Sequence, residues 1–479
     1  MKQAMKQAIN QACRLIQQSA LVAATVTTVA ASAQAAEFQL PAFDTVRLSN
    51  GLTIYMMERH EVPLVAVRAV VRAGATVDGP AAGLANLTGD ALLLGSRAYS
   101  KQQIDQSFDF RGARLSSGTS ADGTVLYADF SKDDIQTLLP IMADALQNPL
   151  FDAAEFGKLR ARTVDGLKQA KESPRNVVQP YFYSMLFGQG AYANPVSGTV
   201  SSVSMLETKD VQGFHQRYFR PDNAALVVVG DFKPSTMRAQ LEKLFGNWRS
   251  AGPLPARADT GKVSADKARV WLVNKADAVE TTFMFGGAGI ARNDADYVPL
   301  QVINTILGGR FTSWLNDELR VNSGLTYGAN SSFQTLAQAG VFGVSSFTAT
   351  AKTEAALALA HKTYQRLWDK GIDAATLESA KAYVKGQFPP RYETNQQLAG
   401  FLSDMYVSQI NRSQIDHFMR DVDGLTPEKA KQLVDKHFPR DKLQMLLIGK
   451  AEAIRPVAAQ YGEVTELDIK ADGFKPAVK

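Results

Sequence analysis

The sequence predicts an α+β protein made of two homologous domains, each with an antiparallel-rich sheet packed with helices. Stretches with strand-like and helix-like hydrophobic periods alternate in both halves of the 479-residue chain. A closing pattern also occurs twice, because YFRPD at 218–222 precedes a buried strand at 224–230 and HFPRD at 437–441 precedes another at 443–449. Gly449 follows Gly230 by 219 positions, which favours a weak duplication with a period of about 220 residues.

The hydrophobic patterns place similar elements in both halves. The first half begins with a hairpin at 45–55, whose turn is formed by Asn50 and Gly51. Its other predicted strands are 64–73, a pair within 112–130, and 224–231, and its helices are 83–96, 102–110, 135–146 and 153–169. In the second half the strands are 269–273, 281–285, 340–348 and 443–449, and the helices are 297–307, 355–368 and 375–387.

The N-terminus has the pattern of a bacterial secretory signal. Three basic residues precede an apolar run at 20–31, and Ala33-Gln34-Ala35 supplies small residues for cleavage before Ala36. We expect residues 1–35 to be removed, with a retained N-terminal anchor as the alternative. The predicted domains are then 36–250 and 269–470, joined by a Pro/Gly-containing linker at 251–268. The expected location is the periplasm, without stable membrane insertion.

Composition excludes several other classes of protein. The single cysteine, Cys13, lies within the predicted signal, so the secreted chain has no disulfide framework. Residues 1–35 carry three basic and no acidic residues, so their removal lowers the formal net charge from +5 to +2. No basic tract remains that would indicate nucleic-acid binding. The chain has no P-loop and no G-x-S-x-G motif, and no two histidines after residue 35 lie within five positions of each other.

The most informative stretch is the predicted helix that begins after Gly83. The sequence GLANLTGDALLLGS at 83–96 resembles the phrase G-L-A-H-x-x-E-H-x-L-x-x-G-(S/T) of the pitrilysin/insulinase superfamily, which includes the mitochondrial processing peptidase. In that family the phrase carries the zinc ligands and the catalytic base. Here Asn86 replaces the first His, Gly89 the Glu, and Asp90 the second His.

These three changes remove the metal chemistry that the resemblance would otherwise imply. Two His four residues apart share one helix face and can bind a single zinc, while the Glu acts as base toward the metal-bound water. The family's third ligand, a Glu, should fall within 159–167, which contains no Glu. We therefore expect no metal and no catalytic residue in this chain, with Asn86, Gly89 and Asp90 as the degenerate positions.

A second stretch of the same resemblance lies in the other half of the chain. LGGRFTSWLNDELR at 307–320, followed by GLTY at 324–327, resembles the family's L-G-G-x-x-x-S-x-L-x-x-x-L-R…G-L-(A/S/T)-Y segment. The resemblance implies that Arg320 and Tyr327 are a substrate-binding pair, since a guanidinium and a phenol can both donate hydrogen bonds to a peptide. The alternative is a helix-end cation at Arg320 and a half-buried strand residue at Tyr327.

The resemblance implies two domains of the LuxS/processing-peptidase-like type and a role beside a catalytic subunit. Such families contain paired subunits in which one carries H-x-x-E-H and the other supplies the Arg/Tyr pair. We expect this chain to be inactive alone, to bind peptide, and to pair with a homologous subunit that holds the zinc. Two alternatives stay open: a peptide-binding or structural protein without a peptidase partner, and an autonomous metallopeptidase with an atypical metal site around Asp90.

Overall fold

The computed structural model describes residues 38–256, 259–261, 263 and 266–476. The predicted signal peptide, 1–35, lies outside these residues, as do five positions of the predicted linker. Among the described residues, no helix has both the length and the apolar character needed to cross a membrane.

The first half of the described chain forms a six-stranded sheet with the order β1-β2-β6-β3-β5-β4. Its strands are β1 (Asp44–Arg47), β2 (Thr53–Glu58), β3 (Leu64–Val71), β4 (Arg114–Thr119), β5 (Thr124–Ser131) and β6 (Ala224–Gly230). All neighbours are antiparallel except β2 and β6. The predicted hairpin is confirmed as β1 and β2, and the predicted pair as β4 and β5. Strand β6 is buried along its whole length, as its continuous apolar run predicts.

Helices of the first half supply the apolar faces that cover this sheet. The helices of this half are α1 (Leu84–Ala91), α2 (Lys101–Asp109), α3 (Ile135–Gln147), α4 (Ala153–Ala170), α5 (Pro174–Phe187), which packs elsewhere, α6 (Val200–Met205), α7 (Thr208–Tyr218) and α8 (Pro234–Phe245). Leu87 of α1 and Leu138 of α3 belong to the same buried cluster as Val67 of β3 and Leu226 of β6. Helix α1 is thereby fixed against the sheet by its leucines.

The second half repeats the sheet with the order β12-β7-β11-β8-β10-β9. Its strands are β7 (Arg269–Asn274), β8 (Glu280–Ala288), β9 (Ala329–Thr335), β10 (Gly340–Ala349), β11 (Gln444–Gly449) and β12 (Glu463–Asp468). Five strands correspond in order to those of the first sheet, which agrees with the duplication predicted from the sequence. The sixth differs, because β12 pairs with β7 in parallel whereas β1 pairs with β2 antiparallel.

The second half contains two wide π-helical turns between its regular helices. The regular helices are α9 (Tyr297–Asn304), α10 (Trp314–Asn316), α11 (Thr353–Asp369), α12 (Ala374–Gln387), α13 (Asn395–Ser408), α14 (Ser413–Asp416), α15 (Phe418–Asp423), α16 (Pro427–His437) and α17 (Ala451–Ala458). The π-helical turns are Thr305–Gly309, which ends the predicted helix 297–307, and Asp317–Asn322. Such turns are rare and occur frequently at functional sites.

Each half lends one helix to the sheet of the other half. Helix α5 packs on β8 and β11, where Tyr181 and Phe182 share a buried cluster with Trp271 and Leu446. Helix α13 packs on β3 and β6 of the first sheet, and its first residue, Asn395, donates a 3.0 Å hydrogen bond to the carbonyl of Leu64. The two halves are therefore joined by exchanged helices, which the sequence patterns did not predict. The boundaries 36–250, 251–268 and 269–470 stay predictions.

Candidate functional site

Helix α1 holds the three positions where the zinc motif would stand, and its N-terminus is tightly fixed. Gly83 adopts a positive φ of 94° at the N-cap. The buried carboxylate of Asp78 accepts 2.8 Å hydrogen bonds from the backbone N–H groups of Gly83 and Ala85. Burial raises the pKa of Asp78 to about 7, although these N–H groups favour its ionised form. The framework of the helix is therefore intact.

The side chains at the two former ligand positions face each other and are already bonded within the protein. The Asn86 amide nitrogen lies 3.4 Å from Oδ2 of Asp90. The hydroxyl of Ser117, on edge strand β4, donates a 2.6 Å hydrogen bond to Oδ1 of the same carboxylate. Burial raises the pKa of Asp90, and the Ser117 bond partly opposes that shift. Asp90 therefore serves as an acceptor that ties α1 to β4.

The space for a catalytic base at position 89 is filled. A Cβ atom at Gly89 would lie 2.8 Å from Cγ2 of Thr124 and 3.1 Å from Oγ1 of Thr119. Thr124 is fixed where it stands, because its hydroxyl donates a 2.7 Å bond to the carbonyl of Ala73 and lies 3.1 Å from the Thr119 hydroxyl. A side chain at position 89 would therefore require Thr124 to shift from this position.

No third ligand approaches from the stretch where the family places one. Residues 159–167 lie on α4, and their one carboxylate, Asp165, is exposed and lies 3.6 Å from Lys168. Asn86, Gly89 and Asp90 therefore do not fit a catalytic zinc. Among the described residues, the three ligand-type side chains that converge are Asp294, Asp296 and His437, in the other half. There Asp296 is bonded at 2.7 Å to His437 and, equally closely, to Lys436, whose ammonium already supplies the positive charge.

The second sequence-predicted pair lies at the exposed end of the second sheet. Arg320 is in the π-helical turn Asp317–Asn322, and its guanidinium carbon lies 4.8 Å from the ring centre of Phe311. Tyr327 is 80% exposed and Phe311 61%, which is unusual for large apolar or aromatic side chains. Strand β9 begins only at Ala329, so the alternative that Tyr327 is a half-buried strand residue is wrong.

Short polar contacts hold this exposed segment in place. The Asn316 side-chain oxygen accepts a 3.1 Å bond from the backbone N–H of Ala329, which joins the end of α10, directly before the π-helical turn, to β9. The hydroxyl of Ser346, on β10, donates a 2.9 Å bond to the carbonyl of Gly328. The backbone around Arg320 and Tyr327 is therefore organised while their side chains remain open to solvent.

Arg320 opens into a cavity of about 460 Å³, which we call the Arg320 pocket. Its lining includes Arg175, Phe311, Asn316, Arg320, Asn330 and Phe347. Neither Tyr327 nor any of the three degenerate positions on α1 lines it. The sequence patterns missed Arg175, which follows Pro174 at the start of α5, a helix absent from the predicted elements.

Fold and site together define a two-domain α+β protein of the metallopeptidase type whose zinc-helix positions are altered. Comparison with protein-family models identifies which family this is. The model described as Insulinase (Peptidase family M16) matches residues 54–200, and the model described as Peptidase M16 inactive domain matches residues 206–384. The chain belongs to this pitrilysin/insulinase family of peptidase-like proteins.

Relatives and solved structures agree with that assignment. An uncharacterized zinc protease of Mycobacterium leprae is 25% identical over 76% of this chain and 82% of its own length. One from Bacillus subtilis is 21% identical over 82% of this chain and 95% of its own length. The crystal structure of a peptidase M16 inactive domain from Pseudomonas fluorescens matches with a TM-score of 0.80 and 26% identity, covering 85% of this chain and 98% of that one. A protease from Helicobacter pylori has the same fold, with a TM-score of 0.78 at 20% identity over 85% of this chain and all of its own.

Proposed function

We propose that this chain is the non-catalytic, substrate-binding subunit of a heterodimeric periplasmic zinc metallopeptidase that degrades peptides. The partner is a homologous subunit with an intact H-x-x-E-H motif, and it holds the zinc. This chain contributes Arg320 and Tyr327 to the partner's active site. Bond cleavage belongs to the partner, while the chain described here binds and orients the peptide.

The filled space at Gly89 is the observation that carries the proposal. Loss of a ligand side chain alone would leave a cavity that another group or a bound ion could fill. Here a Cβ at position 89 would meet the Thr124 methyl group at 2.8 Å, and Ser117 holds the Asp90 carboxylate at 2.6 Å. These contacts support the proposal that hydrolysis belongs to another subunit, which holds the zinc.

The binding role is supported by the contrast between the two halves. The α1 positions are packed and internally bonded, whereas Arg320, Phe311 and Tyr327 project into solvent from a fixed backbone. Arginine and tyrosine are also the side chains enriched where proteins bind partners and peptides. Exposed aromatic side chains on a rigid support have a small ordering entropy to lose when a ligand binds.

The test compares the purified chain alone with a complex containing an M16 protein that has an intact H-x-x-E-H and is encoded in the same genome. We expect no bound zinc and no cleavage of a quenched-fluorescence peptide by the chain alone, and cleavage by a one-to-one complex. In the complex, Arg320→Ala should lower kcat/KM at least about tenfold, which corresponds to loss of one charge-assisted hydrogen bond. Arg238→Ala is the matched control, since Arg238 is an exposed arginine on α8.

Three results would count against the proposal. Stoichiometric zinc in the chain alone would revive an autonomous enzyme. Full activity of the Arg320→Ala complex would remove the substrate role. Peptide binding by the chain without any complex, even at high concentrations of the homologous subunit, would favour a binding protein that has no peptidase partner.

A further inference from the structure

The Arg320 pocket contains a second guanidinium, which no motif assigns to the site. Arg175 comes from α5, the helix that the first half lends to the second sheet, and lies with Arg320 in the lining of one cavity. The pocket lining includes no aspartate or glutamate. Two cations in the lining of a cavity of about 460 Å³ favour a ligand's negative charge there, although one of them, Arg175, is also paired with Glu280 outside the lining.

Arg175 is held in a defined position. Its guanidinium carbon lies 3.8 Å from the ring centre of Phe347, on strand β10, and one of its terminal nitrogens lies 3.1 Å from a carboxylate oxygen of Glu280. Stacking on an aromatic ring orients the planar guanidinium while leaving its other N–H groups free to donate. Because the pair is about half exposed, water or a ligand carboxylate can compete with Glu280.

Arg320 differs from Arg175 in having no internal anion. Among the described residues, no carboxylate oxygen lies within ion-pair distance of its guanidinium, which lies over Phe311 instead. A neutral donor is also available nearby. Since the side-chain oxygen of Asn330 accepts a 3.2 Å bond from Ser345, its NH₂ group is the one left to face a ligand.

We propose that the Arg320 pocket binds a carboxylate of the peptide substrate, with Arg175 as a specificity-determining residue beside Arg320. The carboxylate is either the C-terminus of a short peptide or an acidic side chain, and both present the same two oxygens to a guanidinium. The apolar part of the ligand would lie against Phe311 and Phe347. The proposal rests on the proposed function, because Arg320 is shared between the two.

The test measures binding of unlabelled, N-acetylated eight-residue peptides to the purified chain by isothermal titration calorimetry. The first peptide has uncharged side chains and a free C-terminal carboxylate. The second is its C-terminal amide, which we call the neutral amide, and the third is that amide with one internal Glu. We expect the free acid or the Glu peptide to bind about tenfold more tightly than the neutral amide. The preferred peptide identifies the source of the carboxylate, and the preference should largely disappear above about 0.5 M salt.

Two substitutions act in opposite directions on this preference. Arg175→Gln should remove it while leaving the affinity for the neutral amide within about twofold. Glu280→Gln should raise the affinity for the carboxylate peptide several-fold, because it removes the internal anion that competes for Arg175. A purely structural role for the pair predicts the opposite, namely equal or weaker binding. Arg238→Gln is the matched control, since Arg238 and Glu242 form an ion pair of nearly the same exposure, 54% and 45% against 53% and 43%.

Equal affinity for all three peptides would overturn the carboxylate pocket, as would no detectable binding at millimolar concentration. Displacement of the peptide by inorganic phosphate at a concentration equal to the Kd of the peptide would also overturn the carboxylate proposal, because the pocket would then bind anions in general. The outcomes separate from those of the proposed function. If the complex is active and depends on Arg320 but cleaves peptides with and without a carboxylate equally well, only the carboxylate-binding proposal is refuted. If the chain prefers carboxylate peptides but forms no complex with the homologous subunit, only the proposed subunit role is refuted.

Discussion

Substitution of Gly89 by alanine measures how tightly the chain is packed around position 89, where the family resemblance places the catalytic base. In an exposed helix interior, Gly→Ala stabilises a protein by about 1 kcal/mol, because alanine has the higher helix propensity. At Gly89 the new Cβ would lie 2.8 Å from Cγ2 of the buried Thr124. Overpacking of a filled interior costs about 1 to 3 kcal/mol. We therefore expect Gly89→Ala to lower the free energy of unfolding by about 1 kcal/mol, the reverse of the propensity effect.

The chain offers both a control and a rescue for this experiment. Gly166 lies in helix α4, and a Cβ there would meet no heavy atom within 4 Å, so Gly166→Ala should stabilise by about 0.5 to 1 kcal/mol. Thr124→Ser removes the clashing methyl group but keeps the hydroxyl that bonds to Ala73. In the Thr124→Ser background, Gly89→Ala should therefore lose most of its destabilising effect.

Urea unfolding followed by circular dichroism measures the wild type and the four variants under one condition. If Gly89→Ala stabilises the chain as much as Gly166→Ala does, the space at position 89 is open and the reasoning is refuted. The same result would make restoration of a metal site by substitution feasible. An unchanged penalty in the Thr124→Ser background would show that some contact other than the Thr124 methyl opposes the new side chain.

Two further predictions concern buried ionisable groups. Burial lowers the pKa of His215, whose Nε2–H donates to the carbonyl of Leu146, to about 4, so the unfolded chain binds more protons between pH 6.5 and 4. Because of His215, the free energy of unfolding should fall by about 3 kcal/mol as the pH falls through that range. A His215→Gln protein should lack this loss when the two proteins are compared by urea unfolding at several pH values. Parallel pH profiles of the two proteins would contradict the prediction. The raised pKa of Asp78 acts with the opposite sign in both proteins and cancels in the difference. The side chain of Arg220 is 4% exposed and donates to both carboxylate oxygens of Asp222 at 2.6 and 2.9 Å. Arg220→Lys should therefore lower the free energy of unfolding by about 2 to 3 kcal/mol in the same assay. A loss below about 0.5 kcal/mol would show that a lysine ammonium replaces the two-pronged guanidinium contact.

Ten of the twelve strands that the structure describes could be predicted, because their burial is recorded in local periodicity, whereas only seven of the seventeen described α-helices were predicted. Helices α5 and α13 were missed for a physical reason. Helix α5 contains an internal proline, Pro180, and its apolar residues face a sheet made almost entirely of later residues. The π-helical turn at 305–309 was missed for a related reason. Gly308 approaches the backbone of Ser331 so closely that a Cβ would lie 2.3 Å from its nitrogen, and only the tertiary structure makes that approach visible.

Some features of the candidate site could likewise be predicted from residue types in the sequence, whereas others depend on packing that only the structure shows. The absence of imidazoles at 86 and 90 and of a carboxylate at 89 is a matter of chemistry and can be read from the sequence. The sequence does not reveal that Thr124 fills the vacant position, since that contact joins a helix to a strand more than thirty residues later. It likewise does not reveal that Arg175 lines the same cavity as Arg320, because α5 reaches the second sheet only by the exchange of helices.

The two halves share one hydrogen bond between a helix and an edge strand. In the first half this bond lies at the position where an active enzyme of the family would hold its zinc. In the first half, Ser117 of edge strand β4 donates 2.6 Å to the side chain of Asp90 on α1. In the second half, Ser331 of edge strand β9 donates 2.7 Å to the side chain of Asn304 on α9. The shift in residue number is the same for both partners, 214 positions from 90 to 304 and from 117 to 331. The altered ligand position of the first half thus makes the same helix-to-edge-strand bond as its counterpart in the second half. Because that bond and the Thr124 methyl are parts of one packed interior, recovering a metal site would require repacking β4 and β5 as well as replacing three side chains.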